Sequence, residues 1–123
     1  MLELATIADW QEIKRLSVQI HDLHAAWRPD IYFSTEEPYP YDIFLEDIQK
    51  RLVYAAELEG NIVGYVVLSI SKKDGAGTVA HKIMRLDSIC VDEPFRGHGI
   101  GKKMVTDVWA LAKAFRCTQL LLG

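Results

Sequence analysis

The chain has 123 residues, of which 50% are hydrophobic and 25% charged, with a formal net charge of −3. That length suits one domain around a single core, and the apolar content excludes a disordered chain. The slight acidity excludes a basic field for nucleic acid, and no apolar run is long enough to span a bilayer.

The N-terminal "MLELATIADW" has acids early and neither a basic start nor an apolar centre, so it does not read as a signal peptide. Residues 2–8 alternate weakly and are expected to form a first strand. Asp9, three residues before Glu12, is an acid-first capping box for the helix that follows. Trp10, Ile13, Leu16, Ile20, Leu23 and Trp27 recur at spacings of three and four, which predicts a helix over 10–27 with one apolar face. Pro29, Pro38 and Pro40 then impose a long loop, and Phe44, Leu45, Ile48 and Leu52 mark a shorter second helix.

The period changes to two after this point. Strands are expected over 52–58 and 62–70, joined by the turn Glu59-Gly60-Asn61. "KKDGAGT" reads as a polar loop, 81–91 as a third strand, "GKKMVTDVWALAKAF" as an amphipathic helix and "CTQLLL" as a last strand. The order β-α-α-β-β-β-α-β predicts an α+β (α/β-like) fold, a mixed central sheet with flanking helices, over a single domain 1–123. Cys90 and Cys117 lie in apolar contexts without C-x-x-C spacing; they read as buried free thiols in a reducing compartment, hence an expected cytoplasmic protein.

Between the third strand and its helix stands "RGHGIGK", 96–102. A phosphate-binding Walker loop needs four residues between its glycine and Gly-Lys, followed by Ser or Thr. Here three residues separate Gly97 from Gly101-Lys102, and Lys103 follows. The dinucleotide fingerprint fails as well, because the pattern from Gly97 is G-x-G-x-G and no second βαβ half follows. What remains is Arg96, Gly99 and Gly101 just before a helix. Gly99 and Gly101 let backbone approach a ligand without a Cβ in the way. The first-turn N–H groups and the helix dipole then favour an anion, with Arg96, Lys102 and Lys103 adding charge at the rim.

"RLDSICVDEPFRGHGIGKKMV" resembles motif A of the GNAT superfamily of N-acetyltransferases, the strand-loop-helix unit that binds acetyl-coenzyme A. The resemblance covers roughly 84–115. It implies that main-chain amides from Gly97 through His98, Gly99, Ile100 and Gly101 to Lys102 hold the coenzyme pyrophosphate. It also implies that the strand backbone at Ile89, Cys90 and Val91 pairs with the pantetheine arm like an added strand. An N–H near Ile89 or Cys90 would then polarise the thioester carbonyl. His98 is expected at the rim.

Acetyl transfer to an amine needs a group that takes the amine's proton. Asp87, nine residues before Arg96 on the motif A strand, is the candidate for a base or an amine anchor; the plainer reading pairs it with Arg85 or Lys82. The resemblance places the acceptor against the first helix and the loop after it, where Asp30, Tyr32 and Phe33, together with Glu36 and Glu37, suit a cation with an apolar stem. His21 and His24 are spaced like a metal pair but have no third ligand in the sequence, so no metal is expected; they face solvent or the acceptor.

Members of the superfamily continue after the strand corresponding to "QLLL" with a further helix, an F-Y-x-x-x-G-F motif and more strands, and a tyrosine there often serves as general acid. None of Tyr32, Tyr39, Tyr41, Tyr54 and Tyr65 falls in such a motif. The last strand is therefore expected to present an apolar edge through which a homodimer could form. The expected activity is acetyl transfer from acetyl-coenzyme A to a small-molecule or peptide amine by direct attack in a ternary complex. The alternative is a truncated, non-catalytic module that keeps the cofactor cradle. Neither nucleic acid nor membrane is an expected partner.

Overall fold

The computed structural model describes residues 1–75 and 77–122, with the backbone alone at Thr78. Its elements are β1 (Leu2–Leu4), α1 (Trp10–Trp27), α2 (Tyr41–Gln49), β2 (Val53–Leu58), β3 (Asn61–Gly75), β4 (Thr78–Val91), α3 (Ile100–Ala114) and β5 (Gln119–Leu122). The order is the expected one. The five strands lie in sequence across one sheet, antiparallel up to β4, with β5 parallel to β4. A parallel pair needs a crossover, and α3 is that crossover.

Apolar alternation sends side chains to both faces of the sheet. Ile13 and Leu16 of α1 and Phe44 of α2 pack with Val53, Tyr65 and Cys90 on one face. Ile100, Met104, Val108 and Ala112 of α3 pack with Val66, Leu68, Met84 and Leu86 on the other. The result is three layers, helix-sheet-helix. Among the described residues, no helix is long and apolar enough to cross a membrane.

Three boundaries differ from expectation for local reasons. The first strand ends at Leu4, and a 3-10 turn over Ile7–Asp9 follows, because the Asp9 carboxylate accepts from the Thr6 N–H at 2.9 Å. Asp9 therefore closes that turn instead of capping α1, and Glu12 accepts from Arg15 Nε at 2.8 Å. The polar segment after Ile70 is not a loop. Pairing continues through Lys72 with Lys82 and Lys73 with His81 to Gly75 with Thr78, so backbone hydrogen bonds extend β3 and β4 where side chains carry no apolar signal.

Gly64 of β3 sits where the sheet and α3 come closest. A Cβ there would lie 2.6 Å from the Cys90 carbonyl oxygen and 3.0 Å from the Met104 methyl carbon. Backbone cannot yield as a side-chain tip can. Gly64→Ala is expected to lower the unfolding free energy by about 1–3 kcal/mol, the usual range for overpacking. Urea denaturation checks this, and an unchanged midpoint would show that the strands can separate there at little cost.

Candidate active site

The outer edge of β4 is paired along only part of its length. It registers with β5 from Ile83 opposite Gln119 to Leu86 opposite Leu122. From Asp87 to Val91 that edge has no strand partner among the described residues. On the inner side, Leu86 faces Leu68 while Ser88 faces Val67, so Asp87 is one extra residue, a β-bulge. The bulge inverts the alternation. Met84 and Leu86 belong to the α3 core, yet Cys90 enters the core under α1, with its Sγ 3.4 Å from the Leu16 carbonyl oxygen. Ile89 and Val91 pack on the α3 side. Burial pushes the Cys90 thiol up to about 11, which makes it a packing group and not a nucleophile.

Asp87 is exposed, and among the described residues it forms no ion pair with Arg85 or Lys82. Lys82 donates from Nζ to the Phe115 carbonyl at 3.2 Å instead. The bulge lies at the junction of two cavities. The first, about 330 Å³, lies on the α1–α2 side and is walled by His21, Tyr39, Asp47 and Tyr65 among others. The second, about 390 Å³, is walled by Leu86 and Ile89 of β4, Val105 of α3 and Leu122 of β5. Ile20, His24, Asp87 and Ser88 line both.

The glycine loop follows the unpaired edge. Gly97 and Gly99 both have φ of 80°, the left-handed region that other residues enter at a cost, and a Cβ on either would meet open space. Gly101 approaches β4 closely, with its hypothetical Cβ 3.6 Å from Val91 Cγ2. Gly99 is the N-cap of α3 and supplies no side-chain cap. The first intrahelical bond runs from the Lys103 N–H to the Gly99 carbonyl at 3.2 Å. The N–H groups of Ile100, Gly101 and Lys102 therefore have no intrahelical acceptor.

Lys102 and Lys103 are exposed beside that helix end, and His98 is exposed with Nδ1 3.2 Å from the Phe95 carbonyl oxygen. Arg96 behaves differently from a rim charge. Its Nε donates to the Val91 carbonyl at 2.9 Å and its Nη2 to Gln19 Oε1 at 2.8 Å. Gln19 in turn donates to Asp92, a buried carboxylate that also receives both terminal nitrogens of Arg15. The Arg15 guanidinium holds the Asp92 carboxyl below its usual range, helped by Gln19. Asp92 thus stays ionised at neutral pH.

The three acceptor candidates do not line the first cavity, although Tyr32 and Phe33 touch its wall residues His21 and His24. Asp30 is exposed and paired with Arg28 at 2.9 Å. Tyr32 packs edge-on to His21 and against His24, with ring centroids 5.7 and 5.5 Å apart. Phe33 is 80% exposed, and its carbonyl lies 2.8 Å from His21 Nε2. No group of three His, Cys, Asp or Glu gathers for a metal ion among the described residues. The aromatic wall comes from residues that local sequence did not single out. Tyr39 donates to Asp47 Oδ2 at 2.6 Å and stacks on Tyr65, with ring planes 10° apart. Burial, and for Tyr39 the Asp47 carboxylate as well, pushes both phenols up, so both stay protonated. Tyr39 follows a proline and Tyr65 lies mid-strand; their spacing carries no sign that they meet.

Comparison with known proteins agrees with this geometry. Residues 18–123 match the Acetyltransferase (GNAT) family. An N-alpha-acetyltransferase of Sulfolobus acidocaldarius is 31% identical over 111 residues, covering 85% of this chain and 56% of that protein. The chain thus spans about half the length of that curated relative. The crystal structure of the F44R variant of the BH1408 protein of Bacillus halodurans superposes with a TM-score of 0.89 at 27% identity, covering 100% of this chain and 81% of that one. An acetyltransferase of Vibrio fischeri shares the fold at 15% identity, with a TM-score of 0.78 and coverage of 99% and 93%. The glycine loop opening α3 and the match over 18–123 together make this chain a member of the GNAT acetyltransferase family.

Proposed function

We propose that this protein transfers the acetyl group of acetyl-coenzyme A to an acceptor amine, by direct attack with both substrates bound. The observation that carries this reading is the pair of cavities that meet at the Asp87 bulge, one along β4 beside Val105 of α3 and one under α1 and α2.

The donor set fits the coenzyme. The backbone from Gly97 to Lys102 offers N–H groups at an uncapped helix end, and Lys102 and Lys103 add positive charge beside it. The unpaired edge at Ile89, Cys90 and Val91 takes the pantetheine arm as an added strand. Acetyl-coenzyme A supplies the activated acetyl thioester. An N–H near Ile89 or Cys90 stabilises charge on the carbonyl oxygen during attack. Because the chain is acidic overall, the phosphates are held by local dipoles and not by a general field.

The acceptor occupies the first cavity. Among the described residues, its walls carry Asp47 and Asp87, His21 and His24, and the stacked Tyr39 and Tyr65, with no lysine or arginine. That set suits an amine that arrives as a cation on an apolar stem. The Asp87 carboxylate anchors the ammonium and takes its proton, directly or through one water, so that the neutral nitrogen can attack. The C–N bond forms, the C–S bond breaks, and coenzyme A leaves as a thiolate that takes a proton from solvent. Tyr32, packed on His21 and His24, contacts the acceptor from the loop, with Asp30 and Phe33 beside it in sequence.

Three measurements test the reading. Coenzyme A at 100 times its dissociation constant is expected to stabilise the fold by about 2.7 kcal/mol, seen as a raised melting temperature that ATP and NAD do not reproduce. No shift in a cooperatively melting protein would remove the cradle assignment. Gly99→Trp is expected to abolish that shift, since its side chain fills the open space above the loop. Asp87→Asn is expected to slow amine-dependent release of free coenzyme A thiol by about 100-fold or more while leaving coenzyme affinity unchanged, in the range of a lost general base. Binding without any thiol release in the wild type, across a panel of amines, would favour a non-catalytic module instead.

A further inference from the structure

Helix α1 reaches the glycine loop through a polar cluster that neither core requires. Its hub is the half-buried Gln19. Gln19 Nε2 donates to Asp92 Oδ1 at 3.1 Å. Gln19 Oε1 accepts from the Glu93 N–H and from Arg96 Nη2, each at 2.8 Å. Both lone pairs of one amide oxygen are thus spent on the segment between β4 and α3.

Arg15, one turn earlier on the same face of α1, donates to both oxygens of Asp92 at 3.2 and 3.1 Å. Asp92 is only 8% exposed, so its charge depends on these partners. Arg96 closes the circuit by donating to the Val91 carbonyl. Asp92, Glu93, Phe95 and Arg96, the hydrogen-bonding residues before the glycines, are therefore tied to α1, to the sheet or to one another.

Beyond Arg96 the one tie made by a loop side chain among the described residues is that of His98 to the Phe95 carbonyl, and it does not reach α1. Gly97 and Gly99 have no side chains to pack, and both sit at φ of 80°. Their backbone is free to move unless its ends are held. One end is held by α3, whose Ile100 and Met104 are buried. The other is held by Arg96, and Arg96 is held by Gln19.

We propose that Gln19, supported by Arg15 and Asp92, is a positioning residue for the loop 96–102, holding its N–H groups in the arrangement that receives the coenzyme pyrophosphate. This rests on the acetyl-coenzyme A reading above. Donors fixed before the ligand arrives cost no ordering entropy when it binds, which is the advantage of such a clamp. The same helix walls the acceptor cavity through Ser17, Ile20, His21 and His24, so one element places both substrates.

The test is Gln19→Met, which keeps helix propensity and approximate volume and removes the three hydrogen bonds. Two properties are read on the wild type and the variant: amide hydrogen exchange at Phe95, Arg96 and Lys103, the hydrogen-bonded amides that bracket the loop, without ligand, and affinity by calorimetry for coenzyme A and for pantetheine, which lacks the pyrophosphate. The clamp predicts at least tenfold faster exchange at those three amides with unchanged exchange in α3 beyond Val105. It also predicts about tenfold weaker coenzyme A binding, with pantetheine affinity unaltered. A general loss of stability would instead move α3 exchange and both affinities together, and that result would overturn the proposal. So would a variant that binds coenzyme A as the wild type does. A wild type that ignores coenzyme A would overturn the cofactor reading itself, and the proposal that depends on it. Arg15→Gln, at a largely exposed position, is expected to reproduce the effect more weakly.

Discussion

One inserted residue sets the geometry of the whole site. From Ile83 to Leu86, β4 has a strand partner on each side. The bulge at Asp87 then reverses which side chains face which helix. A strand that kept its register would send Ser88 and Cys90 toward α3 and would strand Ile89 and Val91 under α1. The two cores would then be filled by the wrong residues. The extra residue lets apolar side chains fill both cores.

That open edge and the end of α3 are complementary. The edge offers main-chain groups in extended geometry, and the helix end offers N–H groups with a positive dipole. Gly64 and Gly101 bring the two within reach, since a methyl group on Gly64 would press on the Cys90 carbonyl and on Met104. The surrounding charges follow the same logic. Positive side chains that could have fanned into solvent are partly turned inward: Arg96 and Arg15 serve Gln19, Asp92 and the loop backbone. Lys102 and Lys103 alone remain as exposed cations in the first turn of α3.

The glycine loop was legible because its cause is local. Left-handed backbone at 97 and 99 favours glycine, and an amphipathic run after it favours a helix. The far end of the hairpin, Lys72 to Gly75 with Thr78 to Ala80, was not legible, since it has no apolar alternation and is held by backbone pairing. Arg96 looked like a rim charge because Gln19 lies 77 residues away in the chain. The acids of the proline-bearing loop stood out by composition. Even so, Asp30 pairs with its neighbour Arg28, while the carboxylates on the cavity wall are Asp47 and Asp87, from α2 and β4.

By itself the sequence determined the element order, the amphipathic faces of three helices and the glycine-rich turn that opens α3, all of which depend on residues within one or two turns of each other. It also placed Asp87 on the strand before that turn. Tertiary structure alone decided the bulge at Asp87, the stacking of Tyr39 on Tyr65 and the hydrogen bond of Gln19 with Arg96. These depend on contacts between segments far apart in the chain. Short-range periodicity carries no record of which distant residue a side chain will meet.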